Sequence, residues 1–256
     1  MTRPNRLLFA LPLLLAGGCV DNPVTLEVLQ NTIPDPPACQ PATMGTGPSA
    51  SAGIFDVGIA QGGAGEFKGY EVYPVVRNNL EDPSMATGIV SGMGGVVQTQ
   101  RDDIELVGVD VQLTVTGAFD AAVRADQRSF YQNAYGGIVP AAGTGALTVE
   151  VVPLPIAVEL NAALQDGQTL PMVARFRVVG QKTDSSMIES GWVDFPINVC
   201  RWCLTGGKPP PCPKDGVLAA SVLPGACNVP QDDPVTCCTD TKNRLLCGST
   251  VPTKTM

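Results

Sequence analysis

The chain has 256 residues, 24 acidic against 16 basic side chains, a formal charge of −8 and no histidine. The missing imidazole excludes a Ser-His-Asp triad, a Cys-His pair and a histidine general base, and the acidic balance offers no Lys/Arg stripe for a phosphate backbone, so nucleic acid is not expected as a partner. Apolar residues make up 44% and aromatic residues only 5%, which predicts an aliphatic core large enough to fold.

Residues 1–18 read as an export signal. Arg3 and Arg6 precede the apolar run Leu7–Ala16, which is about half of the ~20 residues that a spanning helix needs and ends in Gly17-Gly18 before Cys19. The stretch Leu15-Ala16-Gly17-Gly18-Cys19 resembles the lipobox of bacterial lipoproteins, with Ala16 standing where that motif usually has leucine. The resemblance implies cleavage before Cys19 and lipid on its sulfur, with the membrane reached through lipidated Cys19. Two or more acyl chains hold a protein on a bilayer almost permanently. Val20 follows Cys19 and Asp21 comes only after it; by resemblance to the sorting rule of enteric bacteria this implies the outer membrane. The alternative is an ordinary secretory signal, with Cys19 left to pair with another thiol.

Residues 19–52 form a predicted tether, rich in proline (Pro23, Pro34, Pro36, Pro37, Pro41, Pro48) with a Ser/Ala tract at 49–52. Val24–Leu29 could add a short strand or helical turn within it. From residue 53 to 199 the pattern has period two. Val107, Val109, Val111, Leu113 and Val115 alternate with Gly108, Asp110, Gln112 and Thr114, predicting a strand with one wet face. Upstream, Ile104 and Leu106 put the apolar side on even positions, so a bulge is expected beside Gly108.

Similar runs at Ile54–Ala60, Tyr70–Arg77, Leu147–Val158, Met172–Val179 and Met187–Val199, several interrupted by proline, predict a mainly β fold. The expected architecture is an antiparallel β-sandwich of immunoglobulin-like class, with about six to eight strands. Two connections are long. Asn78–Arg101 is glycine-rich but lacks the Gly-Lys-Ser/Thr ending of a phosphate loop. Ala118–Ile138 carries Phe119, Ala122, Val123, Tyr131 and Tyr135 at helical spacing, predicting a short capping helix. In the functional alternative it is a recognition loop that offers Arg128, Phe130, Tyr131 and Tyr135 to a partner.

Residues 200–256 are a small Cys-rich C-terminal segment. Nine cysteines is an odd number for an exported chain. If Cys19 carries lipid, then Cys39, Cys200, Cys203, Cys212, Cys227, Cys237, Cys238 and Cys247 are expected to form four disulfides, with Cys39 reaching across to tie the two ends together. The adjacent Cys237 and Cys238 are expected to take separate partners. Cys200-Arg201-Trp202-Cys203 has the spacing of redox motifs, but it follows a β-like run and precedes no helical pattern. A second C-x-x-C, as a Cys₄ zinc site would want, is absent.

No carboxylate pair is expected to converge by itself, because Asp102-Asp103 and Asp232-Asp233 are adjacent in the chain and neighbours in a strand would point to opposite faces. The lysines follow no S-x-x-K spacing and no D-x-D-x-D-G ladder is present. The sequence therefore points to a non-catalytic envelope protein without cofactor or metal, structural, adhesive or partner-binding, whose partner is an envelope protein or a glycan. Two other readings stand beside it: an envelope enzyme (a carboxylate-dependent hydrolase or a thiol-disulfide exchanger using Cys200 and Cys203), and a Cys-rich inhibitor or ligand-binding module. The stretch Asp194–Cys200 with the Cys- and Pro-rich tail, Gln231-Asp232 ahead of Cys237-Cys238, resembles the ends of exported Cys-rich lipoproteins of soil bacteria. That resemblance implies no particular activity.

Overall fold

The computed structural model describes residues 25–34, 39, 47–62, 69–80, 102–115, 123–133, 137–213, 227–228 and 230–247. The expected signal (residues 1–18), Cys19, the glycine-rich stretch 81–101 and Tyr135 lie outside the described residues. The fold is mainly β, as expected, with more and shorter strands than the sequence suggests. They are β1 (Leu26–Asn31), β2 (Gly53–Asp56), β3 (Tyr70–Val72), β4 (Pro74–Asn78), β5 (Ile104–Val115), β6 (Ser129–Asn133) and β7 (Ile138–Val139), followed by β8 (Thr144–Ala146), β9 (Val149–Val152), β10 (Thr169–Lys182), β11 (Met187–Glu189), β12 (Val193–Cys200), β13 (Cys237–Thr239) and β14 (Leu245–Cys247).

The main sheet has seven strands in the order β2-β12-β10-β5-β6, with β11 on β10 and β7 on β5. Its backbone is the long strand β10, paired antiparallel to β5 on one side and to β12 on the other. Along β10, Leu170, Met172, Ala174, Phe176 and Val178 face the core, while Thr169, Pro171 and Arg175 face solvent. Strand β5 shows the expected register flip. Val179 pairs with Gly108 and Gly180 with Leu106, so Val107 is left over as a bulge, and the buried set passes from Ile104 and Leu106 to Val109, Val111 and Leu113. A smaller sheet, β1-β4-β8, and the pair β3-β9 contribute Leu26, Val76, Tyr70 and Val149 to the same buried cluster as Val111, Phe176 and Ile197. One shared core between sheets is what a sandwich requires.

Four local expectations are corrected. The antiparallel expectation fails at β12 and β2, which run parallel from Ile197↔Gly53 to Cys200↔Asp56. The run Ile54–Ala60 is not one strand: Asp56 accepts hydrogen bonds from the N–H groups of Gly58 (3.0 Å) and Ile59 (3.4 Å) and so starts helix α1 (Val57–Gly62). The run Leu147–Val158 breaks at Pro153, which precedes helix α2 (Leu154–Ala163). Pro155 falls in its first turn, where a missing N–H costs nothing, and Ile156, Ala157 and Leu160 turn inward. Within Ala118–Ile138, Ala125–Gln127 is a single 3₁₀ turn and Ser129–Asn133 is strand β6, so Tyr131 lies on a sheet edge and not on a helix. Pairing with β5 overrides the weak helical spacing of the aromatics.

All eight cysteines of the expected framework are paired: Cys39–Cys227, Cys200–Cys203, Cys212–Cys238 and Cys237–Cys247. The first spans 188 residues and joins the N-terminal segment to the C-terminal one, and Cys237 and Cys238 take different partners. The Cys-rich segment is built into the body of the fold. The Asp56 N–H donates to Pro230 O and the Asp232 N–H to Ile54 O, so residues 230–232 run beside β2 and cover that edge of the main sheet. Beyond this seam Ile59 of α1 packs with Leu204, Leu245 and the buried cysteines Cys237 and Cys247. No helix among the described residues is long and apolar enough to cross a membrane.

Candidate functional site

Of the four proposed contact residues, three are described, and they diverge. Arg128 turns back to donate from Nε to Val123 O (3.0 Å). Phe130, opposite Val111, packs against the core, whereas its neighbour Tyr131, opposite Asp110, stands outward and is 49% exposed. Tyr131 instead joins residues that the sequence reading passed over.

Cross-strand pairing places Arg177, Asp110 and Tyr131 in one row of the outer sheet face and Arg175, Gln112 and Ser129 in the next. Arg177 donates from Nε to the Asp110 carboxylate (2.8 Å) and also pairs with Glu189, while Arg175 lies 3.5 Å from the carboxylate of Asp194. Trp192, in the connection between β11 and β12, covers both guanidinium groups, which sit 4.8 Å (Arg177) and 5.2 Å (Arg175) from its ring centroid. Tyr131 lies flat across the sheet at Gly108, where an added Cβ would stand 2.0 Å from the phenol oxygen. The result is an open cleft of about 340 Å³ lined by Asp110, Gln112, Ser129, Tyr131, Arg177 and Trp192, with Phe130 also reaching its wall. Half of this was readable. Asp110 and Gln112 belong to the wet face of β5, and Arg175 and Arg177 share one face of β10 by their i, i+2 spacing, but nothing local links them to Trp192.

A second polar group fastens the C-terminal segment. Tyr70 donates its hydroxyl to both carboxylate oxygens of Asp232 (3.0 and 2.9 Å), and the Ile54 N–H donates to the same carboxylate (2.7 Å). Burial pushes Asp232 above the usual carboxylate range against these hydrogen bonds, and burial beside Asp232 pushes the Tyr70 hydroxyl up as well. Gln231 donates to Glu71 O (3.0 Å) and accepts from the Glu71 N–H (2.9 Å), and Tyr73 donates to the Glu71 carboxylate (2.9 Å). A cavity of about 110 Å³ lies beside these groups. Their lone pairs are taken up in holding strands together, so the arrangement is a latch.

The third group surrounds Asp56, whose side chain is wholly buried. Besides the two N–H groups of α1, its carboxylate accepts from the N–H of Trp202 (2.8 Å) and of Leu204 (2.9 Å), which flank Cys203. Burial pushes Asp56 above its ordinary range, and the four backbone donors oppose that shift. A carboxylate oxygen of Asp56 and the sulfurs of Cys200 and Cys203 lie within 4.8 Å of one another. With the two sulfurs bonded to each other, this set offers no thiolate to a metal ion.

No family model, curated protein or solved structure matches this chain.

Proposed function

We propose that the chain is an exported, lipid-anchored envelope protein, held at the outer membrane through Cys19, whose main sheet binds a glycan on its outer face, a role that involves no catalysis. The export signal and the lipobox resemblance support the anchor, and the four disulfides suit an oxidising compartment. One observation carries the binding reading: the cleft around Trp192 and Tyr131.

A sugar ring presents a C–H face and a rim of hydroxyls. The cleft opposes these with a flat indole held in place by two arginines, a second exposed aromatic ring, and carboxylate, amide and guanidinium groups for the hydroxyls. Its volume falls at the low end of ligand sites, roughly 300–1,000 Å³. A protein partner would call for an apolar patch, on a contact of about 1,000 Å² or more. Of the large apolar residues exposed among the described residues (Leu29, Ile33, Ile54, Tyr131, Ile138, Val158, Met187), only Tyr131 lines the cleft.

The test titrates the mature chain with soluble oligosaccharides released from the bacterial envelope, following tryptophan fluorescence. The protein has two tryptophans, Trp192 and Trp202, so Trp192→Phe assigns the signal. Trp192→Ala is expected to weaken binding by roughly tenfold or more. Equal binding by wild type and Trp192→Ala, or no binding of any envelope glycan at millimolar concentration, would overturn the proposal. Cys19→Ser is expected to move the protein from the detergent phase to the aqueous phase.

A further inference from the structure

The four disulfides are not equivalent. Cys39–Cys227, Cys212–Cys238 and Cys237–Cys247 span 188, 26 and 10 residues, whereas Cys200–Cys203 spans three. A cross-link restrains the unfolded chain less the shorter the loop it closes, so this pair contributes least to stability through chain entropy. Nor is it needed to hold its own loop. Cys200 ends β12, whose backbone is paired with β10 and β2, and Asp56 grips the N–H groups on both sides of Cys203. The Trp202 side chain packs on Gly58 of α1, where an added Cβ would meet its ring at 2.6 Å. With the bond open, both sulfurs would stay beside each other on a fixed frame.

The pair is also asymmetric. Cys200 is fully buried, while Cys203 sits in the turn that follows and reaches solvent. Cys237, Cys238 and Cys247 are all buried. An incoming thiolate therefore meets Cys203 first and expels Cys200 into a buried site, where a bare thiolate is poorly solvated and needs a proton. The Asp56 carboxyl stands within 4.8 Å of both sulfurs, close enough to pass that proton directly or through one water. Burial raises its proton affinity, backbone N–H groups oppose that, and no charged side chain adds to either. The neighbouring charges turn elsewhere: Arg201 to Asp166 and to the carbonyls of Asn161 and Leu164, and Asp232 to Tyr70.

We infer that Cys200–Cys203 is an exchangeable disulfide that oxidises dithiols, with Cys203 the sulfur attacked and Asp56 the proton carrier for Cys200. In the first step a thiolate of the dithiol bonds to Cys203 Sγ, the Cys200–Cys203 bond breaks, and Cys200 leaves with the electron pair and takes a proton from Asp56. The second thiol of the dithiol gives its proton to Asp56 and, as thiolate, bonds to the first sulfur, expelling Cys203 as a thiolate that takes up the dithiol's other proton. The dithiol loses two electrons and two protons and becomes a disulfide, and Cys200 and Cys203 become two thiols. Reoxidation by a second disulfide runs the same steps backwards. This activity is independent of the glycan cleft, which lies on the outer face of the main sheet.

The test places the mature, folded chain in graded dithiothreitol buffers, quenches with iodoacetamide and maps the labelled cysteines by mass spectrometry, with circular dichroism recorded in parallel. Cys200 and Cys203 are expected to label first, roughly tenfold ahead of any other cysteine, with the spectrum unchanged. Cys200→Ser should leave Cys203 open to alkylation, whereas Cys203→Ser should leave Cys200 protected. The exchange rate of the wild type should show an inflection with pH that Asp56→Asn removes. Should Asp56→Asn fail to fold, the labelling order of the wild type still decides. Reduction of another pair first, or of all four pairs only as the fold is lost, would overturn the inference.

Discussion

Replacing Gly53 by alanine tests whether the Tyr70–Asp232 latch fastens the C-terminal segment to the sheet. A Cβ at Gly53 would stand 1.8 Å from the Tyr70 hydroxyl oxygen and 2.5 Å from Cζ. The ring cannot swing aside. Tyr70 is 1% exposed, meets Phe55 edge to face at 5.8 Å and lies 6.0 Å from the Phe195 ring. Forcing it over costs about 1–3 kcal/mol in overpacking. Losing its hydrogen bonds to the Asp232 carboxylate costs a further ~1.5–3 kcal/mol. The expected loss for Gly53→Ala is then about 2.5–6 kcal/mol, a large share of a total stability near 5–15 kcal/mol. Tyr70→Phe should incur only the second cost. Because that hydrogen bond can be lost only once, the double variant should fall short of the sum by about 1.5–3 kcal/mol. Urea unfolding under non-reducing conditions, followed by circular dichroism, measures all four corners of the cycle. A Gly53→Ala variant within ~1 kcal/mol of wild type, or strict additivity, would show that the hydroxyl does not occupy this position.

Gly108→Ala meets an equally short contact, 2.0 Å to the Tyr131 hydroxyl, but this ring is exposed and free to lift. Stability should change by less than ~1 kcal/mol, while glycan affinity in the fluorescence titration falls several-fold as the platform is displaced. Removing the Cys39–Cys227 link with paired serines should lower stability by about 3–5 kcal/mol, and removing Cys237–Cys247 by only about 2–3 kcal/mol; thermal unfolding of the two variants gives the order. Burial raises the carboxyl of Asp232 above its ordinary value, so the folded state holds that proton more tightly than the unfolded chain does. Its contribution to stability is full below the unfolded value near 3.8 and is lost as pH rises through the raised folded value. Asp232→Asn should therefore flatten part of the decline in urea midpoint as pH rises above the unfolded value, and a wild-type midpoint that falls no faster than the variant's would contradict this.

Strand β5 was legible because its apolar residues are evenly spaced and the break in their spacing has one cheap structural solution, a bulge. The two helices were not, because each follows directly on a strand and the apolar run crosses the junction without interruption. Asp56 could have been read as an N-cap. Pro153 and Pro155 could have been read as a helix start, since proline fits the first turn of a helix as well as it fits a sheet edge. Parallel pairing of β2 with β12 has no local signature, because it joins residues 53–56 to residues 197–200, far apart in the chain.

The cleft depends on the bulge more than on any of its own residues. Period-two geometry means that a one-residue slip sends every side chain of a strand to the opposite face. Were β5 to pair with β10 without leaving out Val107, burying Ile104 and Leu106 would drive Asp110 and Gln112 into the core and turn Val109 and Val111 to solvent. With Val107 left over, both halves of β5 bury their apolar set, and Asp110 comes out opposite Arg177 on one side and Tyr131 on the other. Arg177, fixed by Asp110 and Glu189, then supports Trp192. The polar positions of β5 look like an ordinary solvated face in the sequence. They become a site because one unpaired residue, some distance along the strand, sets which neighbours they meet.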